Sequence, residues 1–86
     1  MPFDIVWTDQ IKKDFKRFDK HLAKRIYEKV RWANQNDVLR LEKVEASDDY
    51  KYRVGSYRVF FEKLPGNVLF ALTVLHRSIA YKRTKK

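Results

Sequence analysis

The sequence predicts an α+β fold: one N-terminal strand, two helices or one long broken helix, then a three-stranded antiparallel meander, with the helices packed on one face of the sheet. Three observations carry this. An apolar stripe with helical spacing runs through residues 11–33, and residues 49–75 divide into three β-prone runs at two turn signals. A short β-prone run at residues 3–7 precedes both.

Residues 3–7, FDIVW, form the first strand, and Thr8 or Asp9 supplies a side-chain oxygen to cap a following helix. Ile11, Phe15, Phe18 and Leu22 recur at spacings of four, three and four. Ile26 and Val30 continue the stripe, with Ala23, Tyr27 and Ala33 beside it. Lys and Arg at positions 12, 13, 16, 17, 20, 24 and 25, partly balanced by Asp9, Asp14, Asp19 and Glu28, make the solvated side. The periodicity fits one long helix or two divided near Asp19, and NQND (34–37) ends it. VLRLEKVEASDD (38–49) carries Leu39, Leu41 and Val44 but closes on an acidic, small-residue cluster, and reads as a packed connector. Strands over 49–54, 57–63 and 67–75 follow, separated by Gly55-Ser56 and by LPGN, residues 64–67. Trp7, Trp32, Tyr52 and Tyr57 fall within apolar patterns and read as packing residues.

At 86 residues the chain is a single domain, 1–86. A domain of this size buries only about 60–65% of the surface its unfolded chain exposes, so its core must be compact and aromatic. Six Phe, five Tyr and two Trp supply it. Cysteine is absent, which removes disulfides, thiolate metal sites and cysteine nucleophiles and suits a reducing, cytoplasmic setting. No stretch approaches the roughly 18 apolar residues of a membrane span, and the N-terminus lacks a signal-peptide pattern, so a soluble protein without a membrane partner is expected. The net charge of +9 is unevenly placed: residues 1–49 carry 11 Lys/Arg against 10 Asp/Glu, whereas residues 50–86 carry 9 against 1. Such a field favours phosphate backbones or an acidic protein.

The charge is concentrated further by strand geometry. A two-residue turn at Gly55-Ser56 sets Val54 opposite Tyr57, Arg53 opposite Arg58, Tyr52 opposite Val59 and Lys51 opposite Phe60. Alternation then gives Tyr52, Val54, Tyr57, Val59 and Phe61 to the core and leaves Lys51, Arg53, Arg58 and Phe60 on the other face. Like charges opposed across a ladder destabilise it unless an anion lies between them. Among the strand carboxylates, Glu62 alone is expected to share that face. The last strand delivers HRSIAY at its end, which brings His76, Arg77 and Tyr81 towards the basic hairpin.

YKYRVGSYRVFFE, followed after a short turn by VLHRSIAYKR, resembles the RelE/ParE superfamily of toxins from type II toxin–antitoxin systems. The likeness spans nearly the whole chain, including KDFKRF in the first helix. The Y-R-V-G-x-Y-R-V core marks the superfamily rather than one activity within it. The resemblance implies a RelE-like fold and a ribosome-dependent mRNA endoribonuclease (mRNA interferase). Such an enzyme cuts the A-site codon without metal or cofactor, inhibits translation, and is held inactive by a cognate antitoxin. A ParE-like DNA gyrase inhibitor without nuclease activity and a non-catalytic basic RNA-binding module are the alternatives.

Carried over residue by residue, Lys51, Arg53 and Arg58 match the hairpin positions that contact substrate phosphates. Arg77 matches a second phosphate-contacting arginine, and Tyr81 a C-terminal tyrosine associated with stacking or catalysis. His76 stands where relatives carry His or a basic residue. The Arg77-to-Tyr81 interval is short, and a terminal helix is nearly missing, replaced by KRTKK.

In the implied chemistry a ribose 2′-hydroxyl attacks the adjacent phosphate. His76 is the candidate acid or base, with Lys51 its rival as base. Arg53, Arg58 and Arg77 stabilise developing charge, and Tyr81 stacks on a base or donates a proton. The candidate catalytic set is therefore Lys51, Arg58, His76, Arg77 and Tyr81. The candidate RNA contacts are Lys51, Arg53, Arg58, Phe60, Arg77, Lys82 and Arg83, although a chain end such as KRTKK is expected to fray. A metal is not expected, because Glu62 by itself offers too few oxygen ligands.

Overall fold

The computed structural model describes residues 2–84 and the side chains of residues 2–80. Strand β1 (Asp4–Trp7) leads into helices α1 (Asp9–Arg17) and α2 (Lys20–Gln35). Strands β2 (Glu42–Lys43), β3 (Asp49–Val54), β4 (Tyr57–Leu64) and β5 (Val68–His76) follow, and helix α3 (Arg77–Thr84) closes the chain. The five strands form one sheet in the order β1-β5-β4-β3-β2. The meander is antiparallel, while β1 lies parallel to β5, with Asp4 opposite Val68 and Trp7 opposite Ala71.

Local chemistry sets the boundaries. The Thr8 hydroxyl donates to Ala71 O at 2.7 Å and accepts from Ile11 N at 3.4 Å, so one side chain ends β1 and caps α1. The helical stretch divides at Phe18, which is extended, and Asp19 then caps α2 by accepting from His21 N at 3.0 Å. At the far end Asp37 is left-handed with φ 57°, and Val38 N donates to Ala33 O at 2.8 Å, closing α2 in the geometry expected of a helix C-terminus. The β3–β4 turn has a positive φ at Gly55 and not at Ser56, as a type II′ hairpin requires.

Helices α1 and α2 pack on one face of the sheet. Ile11, Ile26 and Val30 meet Val54, Val59, Phe61, Leu69, Ala71 and Val74 there, so the predicted stripe is the core-facing one. Trp7 adds an aromatic wall, 6.0 Å from Phe15 and 4.8 Å from Tyr27 between ring centroids. Trp32 does not pack as expected: it is 55% exposed, with the Lys29 ammonium 5.4 Å above its ring. Beyond the stripe, the N-terminal edge is tied down by Asn34 on α2. Its carboxamide accepts from Phe3 N and donates to Phe3 O, both at 2.9 Å, as a neighbouring strand would.

Two departures bear on the site. The connector contains β2, whose Glu42 pairs with Lys51 and Lys43 with Tyr50. A terminal helix, expected to be nearly missing, is present as α3, which includes Lys82–Thr84 of the KRTKK run expected to fray; the last two residues of that run lie outside the described residues. Ala80 of α3 packs on Phe60, Leu72, Leu75 and Val44, a second apolar cluster on the opposite face of the sheet. Among the described residues no helix is long and apolar enough to cross a membrane.

Replacing Asn34 with Ala leaves the Phe3 backbone groups without partners, and we expect a loss of about 1–3 kcal/mol in urea unfolding. Burial pushes the Tyr52 phenol above its ordinary value of 10.0. A phenol harder to ionise in the fold than in the unfolded chain adds stability that is complete below pH 10 and fades as pH rises through the folded value. Thermal melts across that range should show Tyr52→Phe losing less stability at alkaline pH than the parent.

A cationic sheet face as the candidate functional site

The observed hairpin register is the one the turn dictates: Arg53 opposes Arg58, Lys51 opposes Phe60 and Val54 opposes Tyr57. Because Val54, Val59 and Phe61 enter the core beneath α1 and α2, Lys51, Arg53 and Arg58 share the other face. Arg53 is exposed, whereas Arg58 is half-buried and oriented by two carbonyls. Its Nη1 donates to Gly55 O at 3.2 Å and to Tyr57 O at 3.0 Å. Burial and the adjacent Arg53 and Arg77 guanidinium groups push the Arg58 guanidinium below its ordinary value, and Glu42 acts in the opposite sense. Arg77 reaches this field because its N–H donates to Ser56 O at 2.7 Å, which fixes the first residue of α3 against the hairpin turn.

Glu42 is the functional candidate that sequence reasoning missed. It lies on β2 directly across from Lys51, and its charge is felt at Arg58. Glu62, expected to be the site's carboxylate, pairs with Asp49. It lies four residues along β4 from Arg58, about 13 Å away at the rise of a strand. A signal for Glu42 existed in the alternation of Leu39 and Leu41, which pack towards the helices, with Val44, which packs on Phe60. The intervening Glu42 falls on the cationic side.

Two expected placements change. Phe60 has the predicted face but 0% exposure, because α3 covers it, so its ring is not open to stacking on a base. His76 pairs with Tyr57 and stacks edge-on against it with centroids 5.3 Å apart, on the helix side of the sheet rather than among the arginines. Its Nδ1 accepts from Ser78 N at 3.3 Å, so the proton of the neutral ring sits on Nε2. The side chains of Tyr81, Lys82 and Arg83 lie outside the described residues.

The assembled face is a carboxylate and an ammonium side by side, next to converging guanidinium groups. This is suited to gripping a phosphodiester while moving protons. Like-charge crowding on one ladder rung has a measurable signature. Arg53→Gln should raise stability in urea by a few tenths of a kcal/mol, since solvent screens much of the repulsion. The gain should shrink at high salt.

Comparisons with known proteins bear on this arrangement. Residues 5–81 match the family model described as the ParE toxin of type II toxin–antitoxin systems, parDE. No curated protein matches the sequence. Among solved structures, the RelBE2 toxin–antitoxin complex of Mycobacterium tuberculosis superposes with a TM-score of 0.77 at 15% identity, covering 90% of this chain and 100% of that one. The RelE–RelB complex of Pyrococcus horikoshii gives a TM-score of 0.69 at 24% identity, covering 90% and 97%. The RelB–RelE complex of Methanococcus jannaschii gives a TM-score of 0.65 at 29% identity, covering 91% and 96%. With the family match extending over most of the chain, the protein belongs to the ParE toxin family of type II toxin–antitoxin systems, within the RelE/ParE superfamily.

Proposed function

We propose that this toxin is a ribosome-dependent mRNA endoribonuclease that cuts in the A site and so inhibits translation in the cytoplasm. The observation that carries the reading is the placement of Glu42 and Lys51 side by side, next to Arg53, Arg58 and Arg77. In this scheme Glu42 accepts the proton of the ribose 2′-hydroxyl as its oxygen attacks the adjacent phosphorus. The Lys51 ammonium gives a proton to the departing 5′-oxygen as the P–O bond breaks. The products are a 2′,3′-cyclic phosphate and a 5′-hydroxyl. The guanidinium groups stabilise the additional negative charge of the phosphorane. His76, turned to the other face, acts in this scheme through the start of α3 rather than on the phosphate. Arg77, held by Ser56, is the contact that α3 contributes.

A cognate antitoxin is the expected protein partner, since the structurally similar RelB–RelE and RelBE2 assemblies are antitoxin–toxin complexes. A segment with carboxylates spaced along it would neutralise the cationic face and relieve its self-repulsion.

Two observations favour a second reading. The family model is that of ParE toxins, and His76 stands off the cationic face. In that reading the face binds DNA gyrase and no phosphodiester is cut.

Purified toxin added to ribosomes programmed with a defined message separates the two. The nuclease reading expects cleavage within the A-site codon, with Arg58→Ala and Glu42→Gln each slower by about 10²-fold or more while folding is retained. Intact message together with toxin-dependent inhibition of gyrase supercoiling would replace it with the second reading.

A further inference from the structure

Ordinary alternation cannot divide β5 as the structure divides it. Leu69, Ala71 and Val74 enter the core under α1 and α2, while Leu72 and Leu75 enter the cluster under α3, so the step from Ala71 to Val74 is three residues. The register accounts for it: Phe61 pairs with Ala71 but Phe60 with Thr73, which makes Leu72 the extra residue of a β-bulge.

A bulge interrupts the ladder and needs another source of hydrogen bonds, and α1 provides it. The Asp14 carboxylate, 1% exposed, accepts from Val74 N at 3.1 Å and from the Thr73 hydroxyl, on the two residues that follow the extra one. Gln10 Nε2 at 3.0 Å and Arg17 Nη2 at 3.1 Å donate to its other oxygen. Packing separates the two registers by one misplaced hydroxyl, that of Thr73, and by a leucine in the place of His76. Without the bulge, residues 73–76 slide one place along β4, setting Thr73 against Val59, Val74 against Arg58 and Leu75 against Tyr57. Thr73 then takes the buried place of Val74, a match in shape that brings a hydroxyl into the apolar core, and Val74 takes that of Leu75. The same slide carries His76 through to the arginine face and pulls Arg77 N away from Ser56 O.

We infer that Asp14 is a positioning residue: by holding the bulge at Leu72 it selects the register that stacks His76 on Tyr57 and fixes Arg77 beside Arg58. The inference applies whichever target the toxin has, and its test uses neither ribosomes nor gyrase.

Solution NMR of the full chain reads the register directly. The parent should show a Tyr57–His76 cross-strand contact, His76 ring protons shifted by the Tyr57 ring, and a slowly exchanging Val74 amide. In Asp14→Ala the Tyr57–His76 contact should be lost, Tyr57–Leu75 contacts should replace it, and the Val74 amide should exchange fast. Deleting Leu72 in the Asp14→Ala background removes the need for a bulge, so the native pairing of Tyr57 with His76 should return. A carboxylate that only added stability would not be replaced by removing a leucine from the second cluster. Should Asp14→Ala alone fail to fold, recovery of folding on deletion of Leu72 supports the inference. Retention of the Tyr57–His76 contact in a folded Asp14→Ala variant overturns it, as does failure of the deletion to restore either that contact or folding.

Discussion

Alternation across the Gly55-Ser56 hairpin makes the core and the cationic face a single decision. Val54, Val59 and Phe61 can enter the apolar layer only if Lys51, Arg53 and Arg58 come out together on the far side. Burying those three apolar side chains contributes several kcal/mol, whereas the opposed arginines oppose folding by a few tenths to about 1 kcal/mol. The hydrophobic term wins, and the sheet holds a concentration of positive charge that it would not adopt for its own sake. The candidate site is therefore built on the side of the sheet that packing leaves over.

The remaining elements refine that face. β2 brings Glu42 across from Lys51, which places a carboxylate beside an ammonium at the edge of the charge field. α3 covers Phe60, Leu72 and Leu75, so the apolar half of the face is closed and the charged half stays open. The Ser56 carbonyl receives the first N–H of α3, and this one contact joins the terminal helix to the hairpin. Arg58, tethered by Gly55 O and Tyr57 O, is held between these parts with little rotamer freedom left to lose on binding.

Much of this was legible in the sequence, for reasons that differ by element. The hairpin register followed from a two-residue turn, because period-two alternation leaves no freedom once the turn is placed. The core stripe followed from helical spacing, but the break at Phe18 did not, since the apolar pattern runs through it and only the Asp19 cap marks the new start. α3 was hidden because RSIAYKRT carries no apolar stripe: Ala80 is buried beside an Ile79 that is 54% exposed. Phe60 was given the right face and the wrong surroundings, since alternation says which way a side chain points and not what lies above it. His76 was expected beside the basic hairpin with no face assigned to it, because a bulge adds one residue and nothing in VLFALTVLH marks where it falls. Glu42 was passed over because the acidic close of its segment obscured a short alternating run.

The grip of Asn34 on Phe3 reaches beyond the monomer. Sheets end in rows of unsatisfied amides and carbonyls that invite intermolecular pairing. Here a carboxamide from α2 already occupies that row at the start of β1. Another chain approaching from this side must first dislodge a side chain anchored in a helix, so the molecule resists open-ended stacking into fibrils along that rim.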